Sequence, residues 1–177
     1  GQGKPARDLE ITDEEELAYV KSLHLLTHKP MLIIANTDEQ GSEVPDLGIA
    51  NAHVVQVCAR LEEELADMSD DDAKEYLKEL GIEEQGLDKI IKSGYQLLDL
   101  MTYLTSGEME TRAWKIKKGT TAPQAAGVIH TDLEKGFIRA EVANWEEFVE
   151  LGGWNGCKEK GKMRVEGKEY VVQDGDV

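Results

Sequence analysis

A chain of 177 residues has room for one full domain or two small ones, and a hydrophobic share of 40% is enough for a core and well above a disordered composition. The formal net charge of −16 argues against a simple phosphate-backbone binder, so DNA is not an expected partner, and no apolar run approaches the ~18 residues of a membrane span. The charge is uneven: residues 1–100 hold 9 basic and 23 acidic side chains, a net of −14, whereas residues 101–177 hold 11 and 13, a net of −2. That shift places a boundary near residue 100 and leaves only the second part a local case for meeting RNA. The opening "GQGKPARDLEITDEEE" has no apolar segment of the signal-peptide kind. Cys58 and Cys157 match no metal or redox spacing, so two reduced thiols in a cytoplasmic protein are expected and no metal site is.

In chain order, Thr12-Asp13-Glu14-Glu15 reads as a capping box with Thr12 as N-cap, and Leu17, Val20 and Leu23 then recur at helical spacing. Pro30 ends that segment. Met31–Ala35 has the length and branched apolar content of a strand buried on both faces, and "HVVQVC" (53–58) reads as a second strand leading directly into the helix "ARLEEELADM". Strand, short turn and helix in this order is α/β grammar. "SDDDAKEYLKELG" predicts a helix capped by Ser69 and stopped at Gly81, and "GLDKIIKSGYQLLDLM" another with a broad apolar face. Beyond residue 100, "MTYLT" and "RAWKIKK" predict a hairpin and "TAPQAAGVIH" a short helix with Pro123 in its first turn. "GFIRAEV" predicts a strand, "NWEEFVEL" a helix capped by Asn144, and "KMRVEGKEYVV" a second hairpin turning at Glu166-Gly167. Strand, strand, helix, strand, helix, strand, strand is the order of a β-grasp, ubiquitin-like fold, with a further strand expected where "QDGDV" stops.

Asn36-Thr37-Asp38-Glu39 follows the first strand, at the end where open α/β sheets bind ligands. An amide offers a purine edge a donor and an acceptor, and a carboxylate accepts from amino or ring N–H groups. The bland reading is a solvated turn with Asx-type bonds. Cys58-Ala59-Arg60 sits at the second strand-to-helix turn, roughly 20 residues on. In P-loop GTPase-type domains an asparagine-led tetrapeptide and a small-Ala-basic turn recognise the base in this order. No G-x-x-x-x-G-K-[ST] loop and no Asp-x-x-Gly after a strand is present, so the phosphate cradle and Mg²⁺ ligands are missing and the chain reads as the distal part of an NTPase. Arg112, Lys115, Lys117 and Lys118 around Trp114 are candidates for RNA or another partner, against a solvated strand with Trp114 and Ile116 in the core. Lys158–Arg164 is a second basic candidate on the same terms. His130 reads as a helix-end residue satisfying local groups, and no catalytic residue is assigned.

"LTHKPMLIIANTDE", "CARLEEEL", "GYQLLDLMTYLTSGE", "ETRAWKIKKGTTAPQAAGVIHTDLEKGFIRAEV" and "GKEYVVQDGDV" closely resemble the C-terminal half of the YchF/Obg-like ATPase family. The resemblance implies three parts: 1–28 as the end of a helical, coiled-coil insertion, 29–100 as the C-terminal part of the nucleotide-binding G domain, and 101–177 as a TGS domain of β-grasp fold. The fold class it implies is α/β plus α+β. In that family Asn-x-x-Glu replaces the guanine-reading Asn-Lys-x-Asp and goes with accepting ATP. The resemblance implies that Asn36 and Glu39 read the base edge, that Thr37 and Ala59 add backbone contacts, that Cys58 stands where serine is common, and that Arg60 packs over the site. It implies ATP or GTP with Mg²⁺ in the intact parent, none held tightly by this chain, hydrolysis only with the missing N-terminal P-loop half, a ribosome- or RNA-related partner, and a chain that stops short of the TGS domain's last strand. The competing expectation is a non-enzymatic TGS interaction module that binds RNA or protein and has no nucleotide role.

Overall fold

A computed structural model describes residues 3–38, 47–49 and 53–177, which divide into two compact units, Gly1–Leu98 and Asp99–Val177. In the first unit, α1 spans Glu14–Ser22. Its N-cap is Asp13, whose carboxylate accepts the Glu16 N–H at 2.9 Å, in place of the expected Thr12. A carboxylate is the stronger acceptor at a helix start. No residue of α1 is buried.

β1 (Leu32–Asn36) and β2 (His53–Val57) pair in parallel, with Leu32 opposite His53 and Asn36 opposite Val57. α2 (Ala59–Ala66) starts two residues after β2 ends. α3 (Asp70–Glu79) is capped by Ser69, as its sequence predicts, and α4 covers Gly86–Leu97. Leu65, Ala73, Leu77 and Ile82 form the buried centre, with Leu61 and Tyr76 packed against it. α4 starts hard against β2: a Cβ at Gly86 would lie 2.9 Å from Val57 Cγ1 and from Glu62 Oε1. Glu62 uses that closeness, accepting the Gly86 N–H at 2.7 Å and the Leu87 N–H at 3.3 Å. One α2 side chain thus satisfies two of the orphan donors that open α4.

In the second unit, β3 (Leu100–Ser106) and β4 (Thr111–Lys117) form the expected antiparallel hairpin. α5 (Ala122–Ile129) carries a capping box between Thr121 and Gln124, and α6 (Thr131–Lys135) follows at once. Met101, Tyr103, Ile116, Ala122, Ala125 and Val172 make the core, and the buried Tyr103 hydroxyl donates to the Ala125 carbonyl at 2.9 Å. β5 is only Ala140–Val142. The longer strand expected from Gly136 does not form, because Gly136 still closes α6 through Asp132 and Phe137 turns onto the core. α7 (Trp145–Glu150) has the expected Asn144 cap, and α8 (Trp154–Glu159) follows a glycine turn that the sequence reading did not resolve.

The second predicted hairpin is not formed. β6 (Arg164–Glu166) pairs antiparallel with β5, while Tyr170 and Val172 bond to the backbone around Thr121. Val172 is buried and Tyr170 packs on the same core, so burial outweighs the local turn. The residues of "QDGDV" lie between two strands. The Gly175 N–H donates to the Thr102 carbonyl, Leu104 N–H to the Asp176 carbonyl, and Ala143 and Val177 exchange both backbone bonds. The lateral order is therefore β4, β3, residues 174–177, β5, β6. Asp176 anchors this segment: its buried carboxylate accepts from Arg164 at 3.0 Å, from the Tyr170 hydroxyl at 2.7 Å and from the Gln173 N–H at 2.8 Å.

Candidate nucleotide-base site

Two parallel strands that end in register bring two turns side by side. The Asn36 carboxamide oxygen accepts the Ala59 N–H at 3.0 Å, across 23 residues of sequence. The Thr37 N–H donates to the Val57 carbonyl at 2.8 Å, continuing the ladder past β1. Cys58 Sγ donates to the Asp38 carbonyl at 3.3 Å, and Gln56 Nε2 donates to Thr37 Oγ1 at 3.3 Å. Four consecutive residues, Gln56 to Ala59, thus each bond to the segment Asn36–Asp38. Asp38, Cys58, Arg60, Leu61, Glu64, Leu80 and Ile82 line a cleft of about 430 Å³ beside this junction.

Asn36, Thr37, Cys58 and Ala59 are brought together. Glu39 lies outside the described residues. The Thr37 and Ala59 N–H groups, expected to face a base, are both engaged inside the protein. Arg60 lines the cleft, but its guanidinium runs along α2 to Glu64, Nε to Oε1 3.4 Å, with the side chain 87% exposed. The residues that sequence reasoning passed over are Gln56 and Glu62. A polar Gln56 within an apolar strand, "HVVQV", was the available signal. What this arrangement leaves to a ligand is the Asn36 amide N–H₂ beside the cleft, since the neighbouring Thr37 and Ala59 N–H groups are already bonded within the protein. Among the described residues, no group of three or more His, Cys, Asp or Glu is placed to hold a metal ion.

The four basic candidates of the second unit do not share one face. Side chains alternate along β4, so Arg112, Trp114 and Ile116 point one way and Lys115 and Lys117 the other. Arg112 stacks on the Trp114 ring at 4.2 Å, and the Trp114 indole donates to Thr105 Oγ1 at 2.9 Å. Ile116 is buried, while Lys115, Lys117 and Lys118 are exposed. In the other basic stretch, Lys162 pairs with Glu147 at 2.7 Å and Arg164 with Asp176. His130 accepts the Asp132 N–H on Nδ1 at 3.2 Å as the N-cap of α6. Cys58 and Cys157 are unpaired. No described helix is long and apolar enough to cross a membrane.

Comparison with known proteins gives a consistent result. Residues 100–177 match the family YchF-GTPase_C, described as "Protein of unknown function (DUF933)". The "Ribosome-binding ATPase YchF" of Bacillus subtilis is 50% identical over 185 residues, covering 98% of this chain and 50% of that protein. The protein of the same name from Haemophilus influenzae is 52% identical over 173 residues, 93% of this chain and 48% of the relative. Among solved structures, the Schizosaccharomyces pombe YchF GTPase matches with a TM-score of 0.80 and 35% identity, over 98% of this chain and 49% of that one. The chain belongs to the YchF family and spans about half the length of the curated relatives it matches.

Proposed function

We propose that this chain, a C-terminal YchF-type portion, supplies the purine-base end of an ATP- or GTP-binding site whose phosphate loop lies in the other half of the longer protein. The observation that carries this reading is the Asn36–Ala59 hydrogen bond at the carboxyl ends of two parallel strands, where α/β sheets hold nucleotides. Asn36 keeps its amide N–H₂ to donate to a ring nitrogen, and Glu39 is the acid of the Asn-x-x-Glu motif. The Ala59 N–H, which would serve a 6-oxo group, is taken up by Asn36, and this favours adenine over guanine. In the intact protein Mg²⁺ and the phosphates are handled by residues outside this chain. The 177-residue chain alone is expected to hydrolyse no nucleotide. In a full-length version, Asn36→Ala is expected to weaken ATP binding roughly tenfold or more. Unchanged affinity and unchanged base preference would overturn the assignment, as would measurable turnover by the isolated chain for its second part.

The second unit we read as a TGS-type β-grasp module that couples nucleotide state to a ribosome- or RNA-related partner in the cytoplasm. The support is the lateral order with residues 174–177 between β3 and β5, and the core built against α5. The relatives' name, "Ribosome-binding ATPase", points to the same partner. The competing reading, an interaction module without a nucleotide role, draws on exposed Lys115 and Lys117, and the Asn36 substitution separates the two.

A further inference from the structure

One backbone bond marks each end of the β3–β4 hairpin. The Gly107 N–H donates to the Glu110 carbonyl at 3.0 Å, and the Lys118 N–H to the Asp99 carbonyl at 2.9 Å. Bonded and non-bonded pairs alternate in an antiparallel ladder. The pairs that exchange backbone bonds are therefore Met101 with Ile116, Tyr103 with Trp114 and Thr105 with Arg112. Thr102 and Leu104 face the other way: the Thr102 carbonyl accepts the Gly175 N–H at 2.8 Å, and the Leu104 N–H donates to the Asp176 carbonyl at 2.7 Å. On β4 the same alternation turns the N–H and C=O groups of Thr111, Ala113 and Lys115 away from β3. β4 is the outer strand of the sheet, and no described residue bonds to those groups. The Lys117 carbonyl, by contrast, is closed off by the Thr120 N–H at 3.2 Å and the Thr120 hydroxyl at 2.6 Å. Ala113 is exposed although it sits in mid-strand.

Two kinds of side chain flank this open edge. On one face Lys115 and Lys117 are exposed, with no ion-pair partner among the described residues. On the other lies the half-buried Trp114, with Arg112 stacked on it at 4.2 Å. Lysine on an edge strand ordinarily guards against strand addition. That guard is selective. A second copy would bring lysine beside lysine, whereas carboxylates at alternate positions of an added strand would sit opposite them. Unpaired lysines beside unpaired backbone groups, in a chain of net charge −16, mark this edge as fitted to a negative partner. We propose that the free edge of β4 docks an extended acidic polypeptide segment. The segment adds as a further strand, with acids over Lys115 and Lys117 and apolar side chains beside Trp114. Main-chain bonds supply the affinity in this mode and the alternating side chains the specificity. The inference names the chemistry of a partner for the second unit, and it rests on the open edge rather than on the base reading.

The test titrates the 177-residue chain with a capped peptide of alternating glutamate and valine, followed by amide NMR. Saturable shifts and slowed exchange are expected at the Ala113 and Lys115 amides. Lys115→Glu combined with Lys117→Glu is expected to weaken the peptide roughly tenfold or more and to leave the melting temperature of the second unit in place. Ala113→Pro removes an edge N–H that β3 does not use and is expected to abolish binding. Should that variant fail to fold, the peptide N-methylated at its glutamates carries the same test from the ligand's side, because it keeps every charge and loses the donors that face β4. Undiminished binding of the N-methylated peptide overturns strand addition. Equal binding of a peptide with lysine in place of glutamate overturns the acidic partner. So does a single-stranded RNA oligonucleotide that shifts these amides where the acidic peptide does not, and absence of any peptide-induced shift at Ala113 and Lys115 overturns the proposal as a whole.

Discussion

The carboxamide oxygen of Asn36 and the backbone N–H of Ala59 are 3.0 Å apart, so the end of β1 and the first residue of α2 form one hydrogen-bonded unit. Neither turn holds its shape independently: Gln56, Val57 and Cys58 add further ties to Thr37 and Asp38. A site assembled this way responds to substitutions on either strand.

Asn36→Ala removes the acceptor for the Ala59 N–H and is expected to destabilise the first unit by about 1 kcal/mol. Asn36→Asp keeps an acceptor at the same atom and loses the amide donor. Urea denaturation is expected to show the loss for alanine and most of the stability kept for aspartate, whereas under the base reading both substitutions are expected to weaken ATP binding in a full-length version. Equal destabilisation by the two would show that the oxygen is not what Ala59 needs.

Glu62 joins α2 to the start of α4 through the Gly86 and Leu87 N–H groups. Glu62→Ala exposes both donors and is expected to cost about 1–2 kcal/mol, measured by urea denaturation with far-UV circular dichroism. Exchange of the Gly86 and Leu87 amides is expected to rise before that of α3.

Gly175 adopts φ +80°, and a side chain there would collide with the Trp145 ring. Gly175→Ala combines a left-handed backbone with overpacking and is expected to destabilise the second unit by about 2–3 kcal/mol. The melting transition of that unit reports it. Gly161→Ala, at φ +66° with nothing within 4 Å of a Cβ, is the control that carries the backbone cost alone.

Burial pushes the Tyr103 hydroxyl up to about 12 from the ordinary 10.0, and burial with the Asp176 hydrogen bond does the same for Tyr170. Both groups stay protonated in the folded chain after the unfolded chain has lost its phenolic protons. Stability is therefore level below pH 10, falls as pH rises from 10 to 12, and levels again above. Denaturation followed by phenolate absorbance across that range checks the window. Tyr103→Phe is expected to remove the Tyr103 part of that fall while leaving the Tyr170 part, and to cost about 1 kcal/mol below pH 10, where the Ala125 carbonyl loses the hydroxyl's hydrogen bond.

Lys115 and Lys117 lie on the exposed face of β4, away from the stacked Arg112 and Trp114. Replacing both with glutamate is expected to change stability by no more than about 0.5 kcal/mol. Under the partner reading it weakens ribosome co-sedimentation of the full-length protein and lowers its salt dependence. Association unchanged at low and high salt would mark the face as merely solvated.

Much of the local structure was legible from short stretches. Ser69 before three acids and Asn144 before Trp145 each named a helix start, because a cap needs only a side chain and a donor two or three residues on. Alternation in "RAWKIKK" told Ile116 from its lysine neighbours, and it could equally have separated Arg112 from Lys115. The polar run after β1 and the alanine turn after β2 each marked a turn at the carboxyl end of a strand. Their 3.0 Å bond depends on strands meeting in parallel register, which no local pattern specifies. The same limit explains β6, which left its neighbours Tyr170–Val172 for β5, and residues 174–177, which found a place between strands roughly 70 and 30 positions away. Caps and periodicities are settled among residues within a turn of one another. Strand partners are chosen by which apolar side chains reach the core and which backbone edges are left to be satisfied, and that choice is made by the whole chain at once.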